Sequence, residues 1–178
     1  MKSYKALAAI ILITLTASAC GTGSSPTSQR KPISHVIQRM LSAQKVVVPF
    51  SQTSSGTSPS AAQTQQLTSM EIKALRSIFV AHSQVYRQNL RAFQAALSEA
   101  SQTRCLGDHI TQFQLVSLEV NGSNASAEWT ALRTAQITSR VDSTHWSQPS
   151  KEKTPLEGTS ILTRRGDHWY ISSTTGTP

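Results

Sequence analysis

The side chains able to do chemistry are few and scattered. His82 falls on an apolar stripe one helical turn from Tyr86. If that stripe faces a cavity, the two converge on it and can bind or polarise a ligand. In the competing reading, His82 is a hydrogen-bonded core residue. Asp108 stands beside His109, and an Asp–His pair can do acid–base work. Adjacent residues on an extended segment point to opposite faces, however, so a turn with a solvated charge is the expectation for Asp108. Trp129 reads as packing, whereas Trp146, in a polar stretch, is the candidate for a contact surface. His35, His109, His145 and His168 lack metal-ligand spacing, and no cysteine cluster accompanies them. There is no phosphate-binding glycine loop and no nucleophile motif. No catalytic set, metal or cofactor is therefore assigned, and an enzyme is the less favoured class.

The start of the chain carries a different kind of chemistry. Lys2 and Lys5 precede an uncharged, largely apolar run at 6–19, and Ala17-Ser18-Ala19-Cys20-Gly21 follows. The run falls short of the roughly 20 apolar residues that span a bilayer and reads as a secretory signal. These residues resemble the bacterial lipoprotein signal family, in which small residues precede a cysteine that is acylated and becomes the mature N-terminus. Ala17 stands where that family usually has Leu. The resemblance implies a lipid on Cys20 and attachment to a membrane, since two or more acyl chains hold stably. Gly21, where Asp would favour inner-membrane retention in Gram-negative members, implies the outer membrane in a host that has one. Plain secretion after Ala19, leaving Cys20 unmodified, is the alternative.

The 178-residue chain has a formal net charge of +8. Without Lys2 and Lys5 it has 15 Lys plus Arg against 9 Asp plus Glu, a net of +6. Such a balance favours acidic envelope surfaces and polymers, or an envelope protein. An exported chain rarely meets nucleic acid, which is excluded as a partner, and the oligomeric state, a homodimer included, stays open. If Cys20 carries lipid, Cys105 has no second cysteine to bridge. Buried and inert is then the expectation for it, and a Cys20–Cys105 disulfide is the rival.

The elements must position these groups. Residues 20–66 are dominated by Ser, Thr, Gln, Pro and Gly and read as a flexible tether. Within it lies an apolar island at 32–50, docked weakly or free to bind a partner. The folded domain is expected at 67–175. Thr68 or Ser69 would cap a helix with Glu71 in its first turn. Apolar steps of three and four from Leu75 to Leu97 predict a helix, breaking near Asn89 into segments 70–88 and 90–100. Gly107 would close the helical part.

Strands follow. Phe113 and Leu115 share one face, and Val116, Leu118 and Val120 the other, a phase switch that predicts a bulge. Asn121-Gly122 and Gly166-Asp167 are turn signals. A long strand is expected at 124–141, a loop at 143–155, and a closing hairpin at 154–165 and 168–173. Helices first and antiparallel strands afterwards make an α+β domain, with N-terminal helices packed on a curved antiparallel sheet.

Three stretches resemble the nuclear transport factor 2-like superfamily. They are the helix at 72–88 running into Arg87-Gln88-Asn89-Leu90-Arg91-Ala92-Phe93, the segment from Phe113-Gln114-Leu115-Val116 through Asn124-Ala125, and Ile161-Leu162-Thr163-Arg164-Arg165-Gly166-Asp167-His168-Trp169-Tyr170-Ile171. The resemblance covers about residues 67–175. It implies a cystatin-like cone whose sheet wraps the helices around a cavity, in a family that includes isomerases, dehydratases, transport adaptors and periplasmic secretion-system components. It thus leaves three readings open: a non-enzymatic binding domain, a cavity enzyme of isomerase or hydrolase type, and a component of a secretion or conjugation assembly.

Overall fold

The computed structural model describes residues 26–44 and 59–176. The signal segment at 1–19, Cys20, residues 45–50 of the apolar island and residues 51–58 of the tether lie outside the described residues. Three helices, α1 (Pro26–Ala43), α2 (Ala61–Arg76) and α3 (Gln84–Ser98), precede four strands. The strands are β1 (Thr103–Asn121), β2 (Asn124–Ser139), β3 (Ser150–Arg165) and β4 (His168–Gly176). They pair antiparallel in chain order, β1-β2-β3-β4. The helices cover one face of the curved sheet, which makes the expected α+β fold.

The first helix corrects the reading of 32–50 as a loosely held island in a tether. Ile33, Val36, Ile37, Met40 and Leu41 step by three and one along one stripe of α1, and four of them are fully buried. They pack in one cluster with Leu115, Leu162, Trp169 and Ile171 of the sheet. Polar bonds fix the helix as well. The indole N–H of Trp169 donates to Gln29 Oε1 at 2.9 Å, and the Arg30 guanidinium donates to the Leu115 carbonyl. The Ser/Thr/Pro-rich flanks, with Pro32 inside the helix, mask this stripe when composition alone is read.

Ser60, not Thr68 or Ser69, caps α2. Its hydroxyl accepts from the Gln63 N–H while the Gln63 side chain accepts from the Ser60 N–H, a complete capping box. Glu71 therefore sits mid-helix and is buried. The helical pattern breaks at 77–83, not near Asn89. Here the main chain leaves the helix to meet the edge of β4, where Phe79 bridges Ile171 in parallel. The Ile171 N–H donates to the Ile78 carbonyl at 2.8 Å and the Val80 N–H to the Ile171 carbonyl at 2.9 Å. Ser83 then caps α3.

Gly107 does not close the helical part. β1 begins at Thr103 and takes up the extra residue as a register shift between Cys105 and Gly107. Cys105 is buried, as expected, and its thiol donates to the Gly107 carbonyl at 3.3 Å. Two more shifts follow, one around Gln112 (φ 51) and one between Leu115 and Ser117. The last is the predicted phase switch. Val116 bulges outward, 60% exposed, so Leu115, Leu118 and Val120 all oppose the buried residues Trp129, Ala127 and Ala125. β3 starts at Ser150, inside the expected loop. From Ser150 to Glu157 it pairs with β2 alone, because β4 joins only at Gly158, and Pro155 is tolerated on such an edge. Gly122 and Gly166, at φ 60 and 59, make the two predicted turns.

Candidate functional site

One face of β2 reads Ala125, Ala127, Trp129, Ala131, Arg133 and Ala135, all buried. Ala125, Ala127 and Ala131 pack in the core with the helices. A cavity of about 680 Å³ opens where Trp129 and Arg133 face the helices, within the usual range for small-molecule sites. Met40, Ala43 and Gln44 at the end of α1 form one wall, and Val85, Gln88, Asn89, Ala92 and Phe93, at helical spacing on α3, form another. Trp129 and Arg133 make the floor, with Thr174, Thr175 and Gly176 of β4 at the rim. Trp129 can pack against residue 158 because that residue is glycine: a β-carbon there would stand 2.8 Å from the indole and 2.3 Å from the Thr175 carbonyl. The indole N–H donates to Ser160 Oγ at 3.0 Å.

Arg133 is the charged group of this site, and its side chain is only 6% exposed. Its Nε and Nη2 donate to the two carboxylate oxygens of Asp108, each at 3.0 Å, and Nη2 also donates to the Gln44 carbonyl just past α1. The register explains the pairing. Asp108 opposes Ala135, and Ile110 opposes Arg133, so Asp108 and Arg133 are diagonal neighbours on the inner face. Both carboxylate oxygens face one guanidinium, the bidentate geometry that Arg favours. A cation at the carbonyl end of α1 also suits the helix dipole. Among the described residues Nη1 has no hydrogen-bond partner, which leaves its two N–H groups for a guest.

The predicted residues are placed differently. His82 is exposed, at φ 62 in the α2–α3 turn, not on a cavity wall. Its ring lies edge-on to Tyr86, centroids 6.2 Å apart. Tyr86 is buried in the core and does not line the cavity. Asp108 is not a solvated turn residue but a strand residue whose side chain is 17% exposed. It reaches the site through Arg133. Trp146 lies away from the cavity, with the Arg104 guanidinium 3.5 Å above its ring, a cation–π contact. Burial first, then the neighbouring Arg140 charge, holds Arg104 below its ordinary value. Arg133, which the candidate residues read from sequence do not include, carries a signal there all the same: an Arg in phase with Ala125, Ala127, Trp129 and Ala131 marks a charge on the buried face.

The groups able to transfer protons gather elsewhere. A shallow cleft of about 340 Å³ between α1 and the β3–β4 turn is lined in part by His35, Asp167, His168 and Tyr170. His35, Asp167 and His168 are exposed there. Among the described residues no cluster of three or more His, Cys, Asp or Glu could hold a metal ion. Nor is any helix among them long and apolar enough to cross a membrane.

No protein-family model matches the chain, and no curated protein matches its sequence. Two solved structures are similar in chain path, each at 13% identity. One is the intermembrane-space region of the chloroplast protein ARC6, with a TM-score of 0.45 over 63% of this chain and 86% of that one. The other is a putative dehydratase from the NTF2-like family of Streptomyces avermitilis, with a TM-score of 0.39 over 86% and 98%. At that identity neither carries an activity across to this chain.

Proposed function

We propose that this is a lipid-anchored cell-envelope protein whose nuclear transport factor 2-like domain is a binding module rather than an enzyme. Its cavity would hold a small, mostly apolar molecule bearing an oxygen acceptor. One observation carries this reading: Arg133 is the only ionisable side chain lining the cavity among the described residues. A guanidinium stays protonated and cannot serve as a general base or acid near neutral pH. Its apolar walls and the N–H groups of Nη1 suit an amphipathic guest. The isomerase- or hydrolase-like alternative required His82 and Tyr86 in the cavity beside an acid, and they are not there.

The test is calorimetric titration with three twelve-carbon probes. Dodecanoate and dodecanol should bind, with dodecanoate the tighter, and dodecylammonium should not. Ala92→Trp, which fills the cavity from the α3 wall, should abolish binding without loss of thermal stability. Equal binding of all three probes, or binding that survives Ala92→Trp, sinks the reading. The anchor is tested separately by mass spectrometry of the mature chain, where a diacylglyceryl mass on Cys20 is expected. A Cys20–Cys105 bridge would remove it. The remaining reading, a subunit of an envelope assembly, predicts co-purification from detergent-solubilised envelopes, and a monomer there counts against it.

A further inference from the structure

The face of the sheet turned away from the helices is divided by charge. The register places Arg104, Lys151 and Lys153 opposite Thr138, Gln136 and Thr134, the side of β2 away from the cavity, and Arg140 follows in the same phase. Among the described strand residues no carboxylate shares this end of that face. Glu119, Glu128 and Glu157 occupy it farther along, opposite or at 126–130. The loop after Arg140 folds back over the basic end, where the Thr138 hydroxyl donates to the Ser147 carbonyl at 2.6 Å. Arg104 stacks on Trp146 of that loop. Two apolar side chains stand out beside the cations, Val141 at 70% exposure and Leu106 at 47%. The loop's carboxylate, Asp142, is paired with His145 at 2.8 Å.

We propose that this end of the sheet is a docking surface for an anionic lipid bilayer. Basic side chains would meet the headgroups, the Trp146 ring would sit at the interface, and Val141 would enter the acyl boundary. A polymer of phosphates would satisfy the cations but would give the exposed valine and leucine nothing. The carboxylates farther along the same face oppose a flat approach, so the domain docks end-on. The inference is independent of the cavity and of the lipid on Cys20.

The test is co-sedimentation of the full chain with vesicles of phosphatidylcholine alone and of phosphatidylcholine with 30% phosphatidylglycerol. Neutral vesicles report the contribution of the apolar segment at 6–19. Because Lys2 and Lys5 also favour anionic vesicles, the basic face is read from the difference between the wild type and its variants. Each basic residue near an anionic surface is worth about fivefold in affinity. Lys151→Glu/Lys153→Glu should therefore weaken anionic-vesicle binding by at least about 25-fold and leave neutral-vesicle binding unchanged. Glu119→Gln/Glu157→Gln should change neither by more than about twofold. The wild-type preference should fall steeply with salt, and Val141→Ser should weaken binding several-fold. All of these positions are exposed, and unchanged circular dichroism checks the fold. No anionic preference, equal effects of the two double variants, or tighter binding of a single-stranded RNA 20-mer that ignores Val141→Ser would each overturn the proposal.

Discussion

Replacing Asp108 by Asn tests whether the Arg133 ion pair holds the cavity together. Removing one partner of a buried pair costs about 3–5 kcal/mol, because the other charge is left without compensation. Asp108 keeps 17% of its side chain exposed, and an amide retains one acceptor oxygen, so about 2–3 kcal/mol is expected. For a domain of this size that is a fall in Tm of about 8–12 °C, at roughly 4 °C per kcal/mol. Urea unfolding followed by circular dichroism measures it directly. The double variant Asp108→Leu/Arg133→Met should recover most of the loss, since an apolar pair of similar volume carries no desolvation penalty. It should also fail to bind dodecanoate. A loss below about 0.5 kcal/mol for Asp108→Asn would refute the reasoning, as would a double variant less stable than the single one.

Ile37→Ala should cost about 2–4 kcal/mol in chemical denaturation, as a fully buried core residue does; a change near zero would mean that α1 is not part of the core. Gly158→Ala should destabilise by about 2–3 kcal/mol and shift the Trp129 emission, because the new β-carbon collides with the indole and a strand carbonyl. Asp142 accepts backbone N–H bonds from Thr144 and His145 and a side-chain bond from His145, which hold its carboxyl down at about 2, the Thr144 bond contributing most. A depressed carboxylate stabilises its loop above its ordinary value of 3.8, and that contribution is lost as pH falls through about 2. Carbon-detected NMR should therefore show Asp142 titrating with a midpoint near 2, and a midpoint near 4 would show that these bonds do not persist in solution.

Local patterns made the sheet legible. The glycine turns at 122 and 166, the alternating alanines of β2 and the phase switch at Val116 are all set by neighbours in sequence. Sequence patterns mislead where a distant partner decides. Phe79 and His82 continue a helical spacing, yet the chain leaves the helix there because the main chain of Ile171 offers hydrogen bonds. The stripe of α1 was visible, but whether it was a docked helix depended on Leu115, Trp169 and Ile171. The site suffered most. Helical spacing aligns His82 with Tyr86, but the helix breaks between them, leaving His82 exposed and Tyr86 in the core. Arg133 needed only the strand phase to be followed one step further.

β4 also bears on the order in which the chain can become structured. It is the strand on which α3 leans and a second support for α1 after β1, and its Ile171 holds the corner between α2 and α3. During synthesis, therefore, all three helices emerge long before residues 168–176, and until those residues appear α1 can close on β1 while the corner between α2 and α3 lacks the strand that holds it. A chain stopped before His168 should stay open to proteases around residues 77–83, and nine further residues should close that corner.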